Sequence, residues 1–307
     1  MMKPFFSLLA IIFSIANPAQ ELTPKVSSGT IDRLFFHSAY TSSRHVDVWL
    51  PEGYTTTQRY SVLYMHDGQM LYDASTTWNA QAWEVDEVAG KLQKDNQTEK
   101  FIVVGIWNGG ENRHSDYFPQ KPFEAMTEEE KRIINAQLKK AGRSNGDFRP
   151  GSDHYLKFIV NELKPFIDRT YAVHSDRDHT FIMGSSMGGL ISFYALCEYP
   201  EVFGGAACLS THWIGTMERE NNPIPQHFFD YLEQNLPSPQ HHRIYFDTGD
   251  QTLDALYPPF QERADAVMLG RGYDENHWIT KYFPGEDHSE KSWSKRLAVP
   301  LLFLFGK

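Results

Sequence analysis

The chain has 307 residues, of which 41% are hydrophobic and 14% aromatic, enough for a substantial core in one large domain. Its formal net charge is −10, and the acidic residues are scattered along the chain without any stripe of basic residues. Because nucleic-acid binding depends on clustered lysine and arginine, this composition argues against a nucleic-acid partner.

The first residues form a segment unlike the rest of the chain. Lys3 is followed by an apolar run over residues 5–15, and Ser14-Ile15-Ala16 provides small residues for cleavage. This pattern predicts a signal peptide over residues 1–16, cleaved after residue 16 or 19. The apolar run is too short to cross a bilayer comfortably. We therefore expect a secreted or periplasmic protein with no stable membrane anchor.

Short apolar runs alternate with helical patterns over residues 20–307, which we expect to form a single domain. The predicted strands cover residues 30–37, 44–50, 60–66, 101–107, 179–184, 203–209, 243–247 and 278–283. The predicted helices cover residues 83–93, 155–167, 187–199, 259–269 and 289–304. This alternation predicts an α/β fold, with a mostly parallel sheet of about eight strands and helices on both faces. Only a turn separates the first two strands, which predicts an antiparallel edge.

Residues 108–153 are a long connection and are predicted to be an insertion. Within it, Thr127 and Glu130 have the spacing of a capping box, and Gly142 suits a helix C-terminus. Two interpretations remain open for the insertion. It is either a lid or wall of a substrate site, or a helix on the solvated surface.

The sequence gives no sign of a metal or cofactor site. Its two cysteines, Cys197 and Cys208, are flanked by apolar residues and are expected to be buried, inert thiols. No CxxC or HExxH pattern occurs. We expect neither a metal nor a cofactor.

The stretch Gly184-Ser185-Ser186-Met187-Gly188 joins a predicted strand to a predicted helix. A GxSxG sequence in this context is typical of a nucleophile elbow, a sharp turn that presents a reactive serine. The pattern therefore makes Ser186 the candidate nucleophile. The alternative is a glycine-rich tight turn without chemistry.

A reactive serine needs a base, and the base needs an acid that orients it. In this strand–turn–helix context the acid follows a late strand and the histidine follows the last strand. His288 has the position expected of the base. The loop after the predicted strand 243–247 offers Asp250 and Asp254, and we prefer Asp250, with Asp254 as the alternative.

Two backbone N–H groups are candidates for an oxyanion hole, which stabilises the charged intermediate of acyl transfer. One belongs to Met187, directly after the serine, and the other to Gln69, in a loop that Gly68 allows to turn. His66 and Asp67 in the same loop are interpreted as a polar pair that braces it.

The sequence resembles the esterase D-like branch of the α/β-hydrolases, also called the putative esterases, over nearly the whole predicted mature chain. The segments that carry the resemblance are YMHDGQ, YLKFIVNELKPFID, FIMGSSMGGLISFYAL, FGGAACLSTHW, YFDTGDQTLDALY and EDHSEKSWSKRL. The resemblance implies that Ser186 and His288 are nucleophile and base, and that Gln69 and Met187 form the oxyanion hole. It places the acid in the loop that holds Asp250 and Asp254 without choosing between them.

We expect a small-molecule or carbohydrate-linked ester as substrate, with Trp107, Trp213 and His212 in the walls of its site. The alternative for the two tryptophans is that they cap the core. The leading functional hypothesis is a secreted serine carboxylic-ester hydrolase that acts through an acyl-enzyme with a Ser-His-Asp triad. An acyltransferase with the same triad and a non-catalytic binding protein with the same fold are the alternatives.

Overall fold

A computed structural model describes residues 23–307, and the predicted signal peptide lies outside the described residues. Eight strands form one sheet: Thr30–Phe36 (β1), Arg44–Leu50 (β2), Ser61–His66 (β3), Phe101–Ile106 (β4), Thr180–Ser185 (β5), Gly205–Leu209 (β6), Arg243–Thr248 (β7) and Trp278–Tyr282 (β8). All six residues of β3, β4 and β5 are buried. Burial on both faces explains why their sequences are apolar runs without alternation.

The strand order in the sheet is β1-β2-β4-β3-β5-β6-β7-β8. β2 pairs antiparallel with both β1 and β4, and every other neighbouring pair is parallel. The predicted antiparallel edge and the mostly parallel α/β sheet are confirmed. Because β3, β5, β6 and β7 run in the same direction, the loops that follow them open at one edge of the sheet.

Helices cover both faces of the sheet. They are Val85–Lys94 (α1), Arg113–Tyr117 (α2), Gln120–Glu124 (α3), Glu128–Lys140 (α4), Ser152–Phe158 (α5), Lys164–Thr170 (α6), Met187–Glu198 (α7), Ile224–Asn235 (α8), Pro258–Gly270 (α9), Glu290–Arg296 (α10) and Ala298–Phe305 (α11). A π-helical turn, Ile159–Leu163, joins α5 to α6. The sequence did not predict α8. In the part of the chain described here, no helix combines the length and the apolar character that a bilayer crossing requires.

The core has two layers, one on each face of the sheet. One contains side chains from α5 to α9, among them Leu190 and Phe228. The other contains side chains from α1, α10 and α11, among them Ala89, Trp293 and Leu301. Both faces of the central strands are thereby covered, which fixes the position of the loops at their carboxyl ends.

Residues 108–153 contain α2, α3 and α4. The predicted capping box is confirmed, because Thr127 and Glu130 exchange hydrogen bonds at the start of α4. Gly142 follows α4 with φ +66°, a left-handed conformation that glycine adopts without strain. The predicted helix in this segment therefore has both of its predicted ends.

Cys197 and Cys208 are both free thiols, and Cys208 is buried as expected, whereas Cys197 is only partly buried. Burial raises the pKa of each of them. A thiol that stays protonated is a poor nucleophile and a poor metal ligand. The prediction of inert thiols agrees with these surroundings.

Candidate active site

The turn between β5 and α7 presents Ser186 in a strained backbone conformation, with φ 58° and ψ −123°. A Cβ atom on Gly184 would lie only 2.8 Å from backbone atoms of Gly188, so the strand and the helix can pass each other only if residue 184 is glycine. The Ser186 N–H donates to Leu209 O on the neighbouring strand at 2.9 Å. The sequence and this geometry together are those of a nucleophile elbow.

His288 lies in the loop between β8 and α10, and its Nδ1 is 2.6 Å from Oδ1 of Asp254. The backbone N–H of His288 donates to Thr252 Oγ1 at 3.0 Å, and its ring packs edge-on against Trp293 with the centroids 5.0 Å apart. Contacts to the ring and to the backbone therefore fix this imidazole, with one nitrogen directed at a carboxylate.

The carboxylate of Asp254 is fully buried. Its Oδ2 accepts hydrogen bonds from Ser210 Oγ at 2.6 Å and from the Gly249 N–H at 2.7 Å. Burial alone would raise the pKa of this carboxyl, but the hydrogen bonds and the charge of the nearby imidazole outweigh it and lower the pKa. Asp254 is therefore an ionised, acceptor-only partner for His288.

The preference for Asp250 is corrected by these contacts. Asp250 is partly exposed, and its two carboxylate oxygens accept from the hydroxyl of Tyr282 at 2.7 Å and the N–H of Gly285 at 2.8 Å. The hydrogen bond from Tyr282 is the main cause of the lowered pKa of Asp250. The short helical turn Thr252–Leu256 carries Asp254 inward. The alternative residue, and not the preferred one, thus faces His288.

Ser210, which sequence reasoning did not select, connects the acid to the core. Its hydroxyl donates to Asp254 and accepts from Trp293 Nε1 at 3.0 Å and from Arg296 Nη2 at 2.8 Å. The same Arg296 nitrogen pairs with Asp247 at 2.9 Å. Ser210 directly follows β6, and a polar residue at the carboxyl end of a central strand is the signal that could have identified it.

The loop after β3 carries the second predicted oxyanion donor, Gln69. A Cβ atom on Gly68 would lie 2.5 Å from the backbone of Gly105, so the loop can lie against β4 only with glycine there. The carboxylate of Asp67, a residue with φ 56°, accepts hydrogen bonds from Nε and Nη2 of Arg113 at 2.7 and 2.8 Å. Asp67 therefore braces the loop, in agreement with its predicted role, and the partner comes from the insertion.

Gln69 and Met187 line one cavity of about 690 Å³ together with Ser186 and His288. Met187 is the first residue of α7, where a backbone N–H has no partner within the helix. The structure thus brings together the predicted nucleophile, the predicted base and both predicted oxyanion residues.

The remaining wall of this cavity comes from several loops. The insertion contributes four residues: Asn108, Arg113, His114 and Arg143. Trp78 stands at the mouth with 84% of its surface exposed, while Trp83 and Trp293 lie deeper. Of the two open interpretations of the insertion, a wall of the cavity fits these positions.

His212 lines the cavity as expected, but Trp107 and Trp213 do not. Trp213 is fully buried, stacks at a tilt against Phe193 at 5.3 Å, and donates from Nε1 to Gln261. Trp107 donates from Nε1 to Asp47 at 2.8 Å, on the β2 side of the sheet. The expectation that these two tryptophans contact substrate is corrected, and capping of the core is the better description.

One group of side chains in residues 23–307 could hold a metal ion, namely His174, Asp176 and His179, whose ligand atoms lie within 4.8 Å of one another. These residues precede the amino end of β5, whereas Ser186 follows its carboxyl end. The cluster and the cavity thus lie at opposite ends of β5. The rings of His174 and His179 are stacked 4.1 Å apart, so their in-plane lone pairs do not converge on one point.

The strand order, with a strained serine after the central strand β5, is that of the α/β-hydrolase fold. The sequence pattern of the family described as "Putative esterase" matches residues 38–304. The chain belongs to this family. The prediction of a carboxylic ester hydrolase is thereby confirmed.

Individual relatives are distant. The chain is 22% identical over 273 residues to the uncharacterized protein YbbA of Bacillus subtilis, covering 86% of this chain and 94% of YbbA. It is 25% identical over 190 residues to the ferri-bacillibactin esterase BesA of the same organism, covering 60% of each chain.

Solved structures share the fold. The chain is 18% identical to a CE1 ferulic acid esterase, AmCE1/Fae1A, from Anaeromyces mucronatus, solved in complex with ferulic acid. The two structures superpose with a TM-score of 0.61, covering 92% of this chain and 93% of the other.

Proposed function

We propose that the chain is a serine esterase that acts through an acyl-enzyme, with Ser186 as nucleophile, His288 as general base and Asp254 as the acid. One observation carries this proposal: His288, whose Nδ1 lies 2.6 Å from Oδ1 of the buried Asp254, lines the same cavity as the strained Ser186. A nucleophile and a base in one cavity, with a carboxylate behind the base, are the set that acyl transfer requires.

In the first half-reaction, Ser186 Oγ attacks the carbonyl carbon of the ester while His288 Nε2 takes the serine proton. The carbonyl oxygen becomes an oxyanion, which the N–H groups of Gln69 and Met187 stabilise. The bond to the alcohol then breaks, and the imidazolium returns the proton to the departing oxygen. Asp254 keeps the Nδ1 proton in place and stabilises the imidazolium.

In the second half-reaction, water takes the place of the alcohol. His288 Nε2 accepts a proton from the water as its oxygen attacks the acyl carbon. The tetrahedral intermediate collapses, Ser186 Oγ recovers its proton from the imidazolium, and the carboxylic acid leaves. No group beyond those of the chain and a water molecule is needed to balance these steps.

We infer that the substrate is a small-molecule or carbohydrate-linked ester with an aromatic portion. The exposed Trp78 at the mouth, with Trp83 and Trp293 deeper in the wall, offers flat apolar surfaces to a ring. The similar ferulic acid esterase was solved in complex with ferulic acid, an aromatic acid. The composition of residues 3–16 supports export of the enzyme.

The proposal is tested by labelling with a fluorophosphonate probe, followed by mass spectrometry to locate the modified residue. Ser186→Ala should abolish labelling and lower kcat by several orders of magnitude. In a serine protease with a Ser-His-Asp triad, loss of the nucleophile costs about 10⁶-fold in kcat. Ser192→Ala is the control, because Ser192 is a serine of the adjoining helix α7 that is fully buried and whose hydroxyl donates to Gly188 O within that helix. If Ser186→Ala keeps more than about a tenth of the wild-type rate, Ser186 is not the nucleophile.

Substrates are compared in one panel of p-nitrophenyl acyl esters, feruloyl esters, acetylated xylan and trilactone siderophores, and the release of free acid is measured. Added alcohol acceptors test the acyltransferase alternative, since transfer would yield a new ester in place of the acid. A wild-type protein that neither reacts with the probe nor hydrolyses any member of the panel would instead favour a binding protein.

A further inference from the structure

Tyr257 packs beside the candidate nucleophile and base without having been assigned a role. It follows the turn that holds Asp254, its N–H donates to Asp254 O at 3.0 Å, and only 1% of its surface is exposed. Its ring meets that of His288 edge-on, with the centroids 5.7 Å apart and the planes at 75°. Burial raises the pKa of Tyr257, and an interaction with the side chain of Ser186 partly opposes that rise, so the two side chains are neighbours.

His212 holds the other side of that hydroxyl. Its Nδ1 lies 2.6 Å from the Tyr257 oxygen, and its backbone N–H donates to Ser186 O at 3.2 Å. Burial, reinforced by the nearby His288, His114 and arginines, lowers the pKa of His212 well below its ordinary value. The imidazole is therefore neutral and carries a single N–H.

We propose that Tyr257 is a positioning residue for the nucleophile: held by His212, it donates a hydrogen bond to Ser186 Oγ and directs the serine proton toward His288 Nε2. This inference rests on the proposed function. A serine hydroxyl has three staggered orientations, and a donor on one lone pair selects among them.

The hydrogen bonds of this network then all have the same donor-to-acceptor direction. His212 Nδ1–H donates to the Tyr257 oxygen, the Tyr257 O–H donates to Ser186 Oγ, and the serine O–H is left for His288. Ser186 Oγ carries a partial negative charge during attack and again when the acyl group leaves. The Tyr257 hydroxyl donates a hydrogen bond to Oγ at both steps. The opposite tautomer of His212 would take the tyrosine proton, so the serine would donate to Tyr257 and turn away from its base.

The two directions predict opposite effects of Tyr257→Phe, which removes the hydroxyl and keeps the ring against His288. In the proposed direction, the rate constant for fluorophosphonate labelling and the kcat for p-nitrophenyl acetate should both fall by about 10- to 100-fold. KM and the melting temperature should change little. Tyr273→Phe is the matched control, because Tyr273 is also buried and its hydroxyl donates only to Pro237 O.

His212 should act only through Tyr257. His212→Asn places an amide N–H near the position of Nδ1 and should retain most of the labelling rate, whereas His212→Leu should lose it. In the Tyr257→Phe background, His212→Leu should cost nothing more, because the hydroxyl that it positions is already gone.

Labelling of Tyr257→Phe within threefold of the wild-type rate, or faster, would overturn the proposal. Fully additive effects of Tyr257→Phe and His212→Leu on the labelling rate would also overturn the proposal, because independent effects indicate that the two residues contribute only through packing. These outcomes differ from failure of the proposed function, in which the wild-type protein itself is not labelled at Ser186.

Discussion

Replacing Asp254 by Asn should lower kcat by about ten-thousandfold, the loss that a template triad shows for the same change. The reason lies in the three contacts of this carboxylate. In Asp254→Asn the amide oxygen can still accept from Ser210 and Gly249, which leaves the NH₂ group facing His288 Nδ1. Nδ1 must then be an acceptor, so the proton moves to Nε2, where it blocks acceptance of the serine proton.

Asp250→Asn is the matched control, with the same change of atoms four residues away. Asp250 contacts Tyr282 and Gly285 and not His288, so its kcat should stay within about threefold of wild type, as for most surface substitutions. Both variants are assayed with a p-nitrophenyl ester at pH 7.5, and their melting temperatures are compared by circular dichroism.

The result that would refute this reasoning is a kcat above about a tenth of wild type for Asp254→Asn, against the ten-thousandfold loss expected of the triad. A large loss in Asp250→Asn instead would return the acid to that residue. If both variants and the double variant turn over normally, serine and histidine work here without a carboxylate.

Three further predictions concern the frame around the site. Ser210→Ala should lower both the melting temperature and kcat, the latter by about tenfold, because Asp254 loses a donor; steady-state assays measure it. Gly184→Ala should prevent normal folding, as judged by soluble yield and melting temperature, whereas Gly146→Ala, where a Cβ meets nothing within 4 Å, should have no effect. The third concerns His66, whose pKa burial lowers to about 3. Below about pH 6.5 the imidazole of His66 is protonated in the unfolded chain but stays neutral in the folded chain. His66 should therefore lower the free energy of unfolding on acidification by up to about 1.4 kcal/mol per pH unit. Urea titrations at pH 7 and 5 should show a smaller fall for His66→Asn than for wild type; an equal fall would contradict it.

The sheet could be predicted from the sequence because its central strands are buried on both faces and therefore read as short apolar runs. The nucleophile elbow was also predictable from the sequence, because two glycines on either side of a serine at a strand–helix junction have few other uses. α8 was missed although Pro225 lies near its first residue, a position that favours proline. Its apolar side chains pack on α9 and on the insertion, partners that local periodicity does not reveal.

The choice of acid could not be made from the sequence. Asp250 and Asp254 lie in one loop, and chain position alone does not say which side chain points inward. Thr252 has a positive φ of 56°, which turns the loop and directs Asp254 toward the core. The donors that hold Asp254 there come from Ser210 and Gly249, after two different strands, so that only the three-dimensional arrangement distinguishes the two carboxylates.

The buried charges behind the site add an electrostatic reason why proton transfer to His288 is favourable in the proposed mechanism. Arg296 lies 2.9 Å from Asp247 and 3.7 Å from Asp254, and one guanidinium therefore faces two buried carboxylates. Burial raises the pKa of Asp247, but Arg296 and the hydrogen bonds that Asp247 accepts from Ser210 N and Tyr245 OH oppose that rise and favour the ionised carboxylate. With His288 neutral the cluster has a net charge of −1, and when His288 takes the serine proton the net charge becomes zero. The excess negative charge thus leaves the buried cluster as the imidazolium forms and passes to the oxyanion, which the N–H groups of Gln69 and Met187 stabilise in the proposed mechanism.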